Sequence, residues 1–147
     1  MQSTRTTLVG AILILTLLLA ACTNANQGQP PAPGAALSGT GWVLASLNGS
    51  APMQGREVTL RFAETSVEGS AGCNTYGGSY TVSEDRLRLS GVYATEMACM
   101  EPAGIMKQEQ AYLNALNTAA QFQVDGDRLE VYDGTGTQIL AFVAAGE

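Results

Sequence analysis

The chain has 147 residues, with seven Lys and Arg against thirteen Asp and Glu, a formal net charge of −6 and no histidine. Basic residues this few and this scattered exclude recognition of a phosphate backbone, which requires clustered Lys and Arg, so no nucleic-acid partner is expected. Without histidine a Ser-His-Asp or Cys-His centre is impossible, and the usual nitrogen ligand for zinc is missing.

Residues 1–21 join a short start carrying only Arg5 to an apolar run from Leu8 to Ala21. That run of 14 residues is short of the roughly 20 that a helix needs to span a bilayer. It reads as a secretory signal peptide rather than a transmembrane helix. Leu19-Ala20-Ala21-Cys22 resembles the bacterial lipobox, which implies alkylation of the Cys22 thiol with diacylglycerol, cleavage before Cys22 and acylation of the new amino terminus with a chain such as palmitate. An ordinary secreted protein cut near Ala21 is the alternative. Two or three acyl chains anchor stably, because each buried methylene contributes about 0.8 kcal/mol.

Residues 22–38 follow as a flexible Pro/Gly/Gln-rich tether, TNANQGQPPAPGAALS after the cysteine, without a charge and unable to bury a face. Thr23 is not the aspartate that often retains lipoproteins in an inner membrane. The expected location is therefore the cell envelope, lipid-anchored and exported, at the outer membrane facing the periplasm if the cell has two membranes.

The folded part is expected over 39–147. Short apolar runs alternate with turn residues: Trp42 to Leu47, closed by Asn48-Gly49, and then Val58, Leu60 and Phe62 alternating with Thr59 and Arg61, the period of two that marks a half-buried strand. Further strands are expected at Val67 to Ala71, Ser79 to Val82, Arg86 to Leu89, Ala94 to Ala98, Phe122 to Val124, Leu129 to Tyr132 and Ile139 to Val143. Hairpin turns are expected at Asp125-Gly126-Asp127 and at Asp133-Gly134-Thr135-Gly136, which are rich in residues that tolerate positive φ. Between them and the earlier strands, Ile105, Met106, Tyr112, Leu113, Leu116 and Ala120 recur at helical spacing, with Pro102 suited to the first turn and Glu101 near the positive end of the dipole. The pattern predicts an α+β fold: a curved antiparallel β-sheet or open barrel of about eight or nine strands packed on one α-helix.

The stretch Gly72-Cys73-Asn74, then Gly78 and Tyr80, then Met97-Ala98-Cys99 and a helix through Glu109, Tyr112 and Leu116, all after an opening Trp42, resembles the META domain (HslJ-like) family. The likeness runs from about Gly39 to Val143 and departs at Lys107-Gln108, where relatives are often more acidic. It implies an α+β envelope domain associated with heat or envelope stress and with tolerance of some antibiotics, without an established enzymatic activity. Related domains have been likened to pilotins, which is a fold-level analogy.

Once Cys22 is lipidated, Cys73 and Cys99 are the remaining cysteines, and in an exported domain such a pair invites a disulfide. Closing that loop would contribute about 3 kcal/mol. A redox pair or metal site is disfavoured because there is no Cys-x-x-Cys spacing and no histidine, the features that such sites ordinarily use. No cofactor or metal is expected. Asp125-Gly126-Asp127 lacks the rest of a calcium loop, and Gly72, Gly77 and Gly78 lack the Lys-Ser/Thr of a phosphate cradle. Asn74 and Tyr76 are the candidate binding residues, with turn capping as the plainer role for Asn74. Tyr80 and Tyr93 are further aromatics that a binding face could use, although Trp42, Phe62 and Tyr80 sit in strands and suit a core.

Three functions fit. The first is a non-enzymatic envelope lipoprotein that binds another envelope protein or lipid. The second is a carrier or pilotin/chaperone-like lipoprotein that holds an acyl chain or apolar peptide between sheet and helix. An enzyme is the least favoured.

Overall fold

The computed structural model describes residues 37–146. The expected signal peptide, the lipidation site Cys22 and the tether as far as residue 36 lie outside the described residues.

Eight strands form a closed antiparallel barrel: β1 (Gly41–Leu47), β2 (Thr59–Phe62), β3 (Ser66–Ser70), β4 (Thr75–Ser83), β5 (Arg86–Ala94), β6 (Ala119–Asp125), β7 (Arg128–Asp133) and β8 (Gln138–Ala144). One helix, α1 (Ile105–Thr118), interrupts the series between β5 and β6. Every strand pairs with its sequence neighbours, and β8 returns to β1 with Val43 opposite Val143 and Leu47 opposite Leu140. The expected open edge is therefore absent from the described residues: β1 and β8 pair along most of their length, satisfying backbone groups that an edge would leave to solvent. The weakest seam is between β5 and β6, where register rests on Arg86 opposite Gln121, supplemented by the Phe122 N–H donating to the Asp85 carbonyl at 2.8 Å.

The inward positions follow the period of two. Leu87 and Leu89 in β5, Leu129 and Val131 in β7, and Leu60 and Phe62 in β2 are buried, while Arg86, Arg88 and Arg61 between or beside them face out. Eight strands enclose an interior just wide enough for side chains to fill. Phe62 meets Tyr80 edge to face at 5.0 Å, and Trp42, Leu44, Leu140 and Phe142 join the same cluster. Bulges at Leu44/Ser46, Gly77/Ser79 and Ala119/Gln121 supply the bends that closure requires.

The ends of β1, β3, β5 and β7 and the starts of β2, β4, β6 and β8 share one end of the barrel, and α1 covers it. Its inner stripe is Ile105, Glu109, Tyr112 and Leu116, at helical spacing. Tyr112 reaches Tyr76 (5.5 Å) and Phe142 (6.4 Å), so the helix seals the interior rather than lying beside it.

Three local expectations are corrected. Ala94 to Ala98 is not a separate strand: β5 runs as far as Ala94, the Thr95 N–H makes one more main-chain bond to the Thr75 carbonyl at 3.0 Å, and beyond it the Met97 N–H and carbonyl are taken by the Asn74 side chain. The helix starts at Ile105, after Gly104 in the left-handed region (φ 95°), so Pro102 and Glu101 precede it and neither occupies its first turn. Leu37, assigned to the tether, is completely buried and belongs to the core; its carbonyl accepts from the Thr40 N–H and hydroxyl, folding the chain into β1.

Candidate functional site

The Gly72-Cys73-Asn74 element forms the turn between β3 and β4, at the barrel end that α1 covers. Gly72 has φ 111°, and a Cβ there would stand 2.9 Å from the Ile105 side chain. Side chains rarely adopt such a conformation, which glycine takes without penalty. The turn thus sits directly against the start of the helix. Its main chain points two donors at Glu109: the Asn74 N–H at 2.7 Å and the Cys73 N–H at 3.1 Å, both to Oε2. The Asn74 side-chain amide adds a third bond, to Oε1, at 2.6 Å. Glu109 is 5 % exposed and has no cation against it among the described residues, so these donors are what stabilises its carboxylate.

Asn74 also holds the segment after β5. Its Oδ1 accepts from the Thr95 hydroxyl and the Met97 N–H, both at 2.7 Å, and its Nδ2 donates to the Met97 carbonyl at 3.0 Å. The Cys73–Cys99 disulfide fixes the same two segments covalently, with Cα atoms 5.9 Å apart. One asparagine, one carboxylate and one disulfide therefore clasp three pieces of chain that are remote in sequence.

Tyr76 completes this end of the barrel from inside. Its hydroxyl donates to the Thr59 carbonyl at 2.9 Å and lies 2.7 Å from the Tyr112 hydroxyl. Burial raises the pKa of both phenols well above the ordinary value, and for Tyr112 the neighbouring Tyr76 adds to the rise, since a desolvated phenolate is disfavoured.

The two candidate binding residues thus lie within the fold, Asn74 at 2 % and Tyr76 at 4 % exposure, with their polar atoms engaged by the chain itself. Tyr80 is buried as well, its hydroxyl donating to the Ala63 carbonyl. Of the tyrosines considered for a binding face, only Tyr93 is presented to solvent. Glu109, which the sequence presents only within the family-like helix, has no role expected from residue type alone. The available signal was its position, four residues after Ile105 and three before Tyr112, on the apolar stripe, because residues so spaced share a helix face.

The two aspartate-rich turns behave as turn chemistry requires. Asp125 pairs with Arg128 around Gly126, whose φ is 58°. The Asp133 carboxylate accepts from the Thr135 N–H and hydroxyl and the Thr137 N–H, which lowers its pKa. No group of three or more metal-ligating side chains occurs among the described residues.

The META domain family matches residues 35–146. A protein from Burkholderia xenovorans, solved by NMR, is 30% identical and superposes with a TM-score of 0.64 over 80% of this chain and 89% of its own. A second NMR structure, 23% identical, has the same fold with a TM-score of 0.61 over 75% of this chain and 92% of its own. No curated protein matches the chain. The clasp and the barrel it closes are what the matched region folds into, and the chain belongs to the META domain family.

Proposed function

We propose that this chain is an exported, lipid-anchored binding module of the cell envelope, without chemistry of its own, that supports tolerance of envelope or heat stress by engaging another envelope component. The observation that carries the reading is the Cys73–Cys99 disulfide in the clasp. Disulfides persist in oxidising compartments and are rare in the cytosol, in agreement with an export signal ending at Leu19-Ala20-Ala21-Cys22. In this reading Cys22 carries the lipid, the following residues give reach, and Thr23 favours the outer membrane of a cell that has two.

Binding is assigned to the outer surface. A carrier would hold its acyl chain or peptide between sheet and helix, but Tyr76, Tyr112 and Phe142 meet there. An enzyme would need convergent reactive groups, and the most buried acid, Glu109, is engaged by main-chain donors.

Metabolic labelling with an alkyne analogue of palmitate tests the anchor. The wild-type chain is expected to take up label and sediment with membranes, and Cys22→Ser to lose both. An unlabelled wild type, or a labelled Cys22→Ser, would sink the assignment.

A further inference from the structure

We propose that the outer face of β2–β5 is a binding site for a neutral pyranose oligosaccharide, with Tyr93 as its stacking platform; this gives a chemical class to the component in the binding-module reading above, and rests on it. Tyr93 is the cross-strand partner of Gly77. Its side chain lies over that glycine so closely that a Cβ at Gly77 would be 2.7 Å from the hydroxyl oxygen and 2.9 Å from the ring carbon bearing it. The glycine is a floor on which the ring rests, leaving the tyrosine 70 % exposed.

What sets this tyrosine apart is the row it ends. Glu68 is register partner to Gly77, and Arg61 to Glu68, so Arg61, Glu68 and Tyr93 stand in line on one face across four strands. The row spans three strand spacings, about 14 Å. Thr75 and Thr95, each two residues along its strand direction from Gly77 or Tyr93, project from the same face and line the same open depression. Both threonines, Arg61 and Glu68 are exposed. Although Arg61 and Glu68 are opposite one another, among the described residues neither side chain has a hydrogen-bond or ion-pair partner. Their donors and acceptors are free for a ligand.

This set matches a sugar. A pyranose has one face of C–H groups, which packs on an aromatic ring, and an edge of neighbouring hydroxyls, which both donate and accept. A carboxylate accepts from such a pair and a guanidinium donates to it, in the bidentate geometry that fixes orientation. The two charges in the row offset each other while the chain as a whole is acidic, which selects against polyanionic glycans and for neutral ones. An apolar peptide would displace water from Arg61 and Glu68 and offer no hydrogen bond in exchange.

Saturation-transfer NMR and calorimetry on the full-length chain in detergent, with chitotriose, cellotriose and maltotriose as probes, test the site. At least one trisaccharide is expected to bind, with transfer strongest at its ring C–H protons. Tyr93→Ala is expected to weaken it about tenfold or more, Tyr93→Phe to bind nearly as wild type, and Glu68→Gln and Thr75→Val to weaken it less. Far-ultraviolet circular dichroism checks that each variant is folded, and the milder Thr75→Val keeps the test decisive should Tyr93→Ala unfold. No transfer to any of the three probes at millimolar concentration, or binding unchanged in the folded Tyr93 and Glu68 variants, overturns the proposal. Labelling at Cys22 is read separately, so a failed sugar site and a failed anchor are distinguishable.

Discussion

Asn74 and Glu109 are joined twice, by the asparagine's main-chain N–H at 2.7 Å and by its side-chain amide at 2.6 Å. The pair links the β3–β4 turn to the middle of the helix, and both residues are buried. Removing the carboxylate strands three buried donors: the N–H groups of Cys73 and Asn74 and the amide of Asn74. Each unsatisfied group costs about 1–3 kcal/mol. Glu109→Ala is therefore expected to lose about 3 kcal/mol or more in urea unfolding, and Glu109→Gln less, since one acceptor oxygen survives. Equal and small losses for both would show that the clasp contributes little.

The disulfide ties the same two segments that Asn74 bridges, which makes its contribution separable by a cycle. Cys73→Ser/Cys99→Ser should lower stability by about 3 kcal/mol, the entropy of closing a loop of this size. Combined with Asn74→Ala, the loss should fall short of the sum of the two measured separately, because once either tie is cut the segment after β5 is already partly released. Strict additivity would mean that the two ties act independently.

Gly69 in β3 is required by close approach, since a Cβ there would stand 2.1 Å from the Thr59 carbonyl oxygen. That oxygen accepts from Tyr76, so any shift of β2 to relieve the clash also disturbs the tyrosine pair. Gly69→Ala is expected to cost about 3 kcal/mol. Gly134 has open space at its Cβ. Gly134→Ala should therefore change stability by less than about 0.5 kcal/mol. Thermal unfolding of the two variants side by side checks the contrast.

The buried phenols predict alkaline sensitivity. Tyr76 and Tyr112 have folded-state pKa values above their ordinary value of 10.0, mainly through burial. The sign follows from linkage: the unfolded chain releases these protons first, so the stabilisation is complete below about pH 10 and is lost as pH rises beyond it. Tyrosinate absorbance should show the two ionising only together with unfolding. Tyr112→Phe should make the alkaline loss shallower, with the Tyr76 bond to Thr59 intact. Ionisation of every tyrosine in the native state would contradict the buried pair.

Local pattern carried much of the fold. The alternation of Val58, Leu60 and Phe62 with Thr59 and Arg61 marks β2, because a half-buried strand must repeat every two residues. Asn48 and Gly49 both take positive φ (50° and 79°). That is the turn their residue types favour. The segment Ala94 to Ala98 looked equally strand-like, yet past Thr95 the Met97 main chain bonds to the Asn74 side chain, more than twenty residues earlier, and no local pattern encodes that. The role of Glu109 was illegible for the same reason: its partners come from another part of the chain.

By itself the sequence determined most of the strands, the helix, the hairpin turns and the absence of histidine chemistry, because each depends on residue type and short-range spacing, and it pointed to the pairing of Cys73 with Cys99 by elimination. Only the tertiary structure decided that β1 and β8 close the sheet, that Asn74 and Tyr76 turn inward, and that Arg61, Glu68 and Tyr93 share an outward row. These depend on which strands meet and in what register, and a shift of one residue in register would send every one of those side chains to the opposite face.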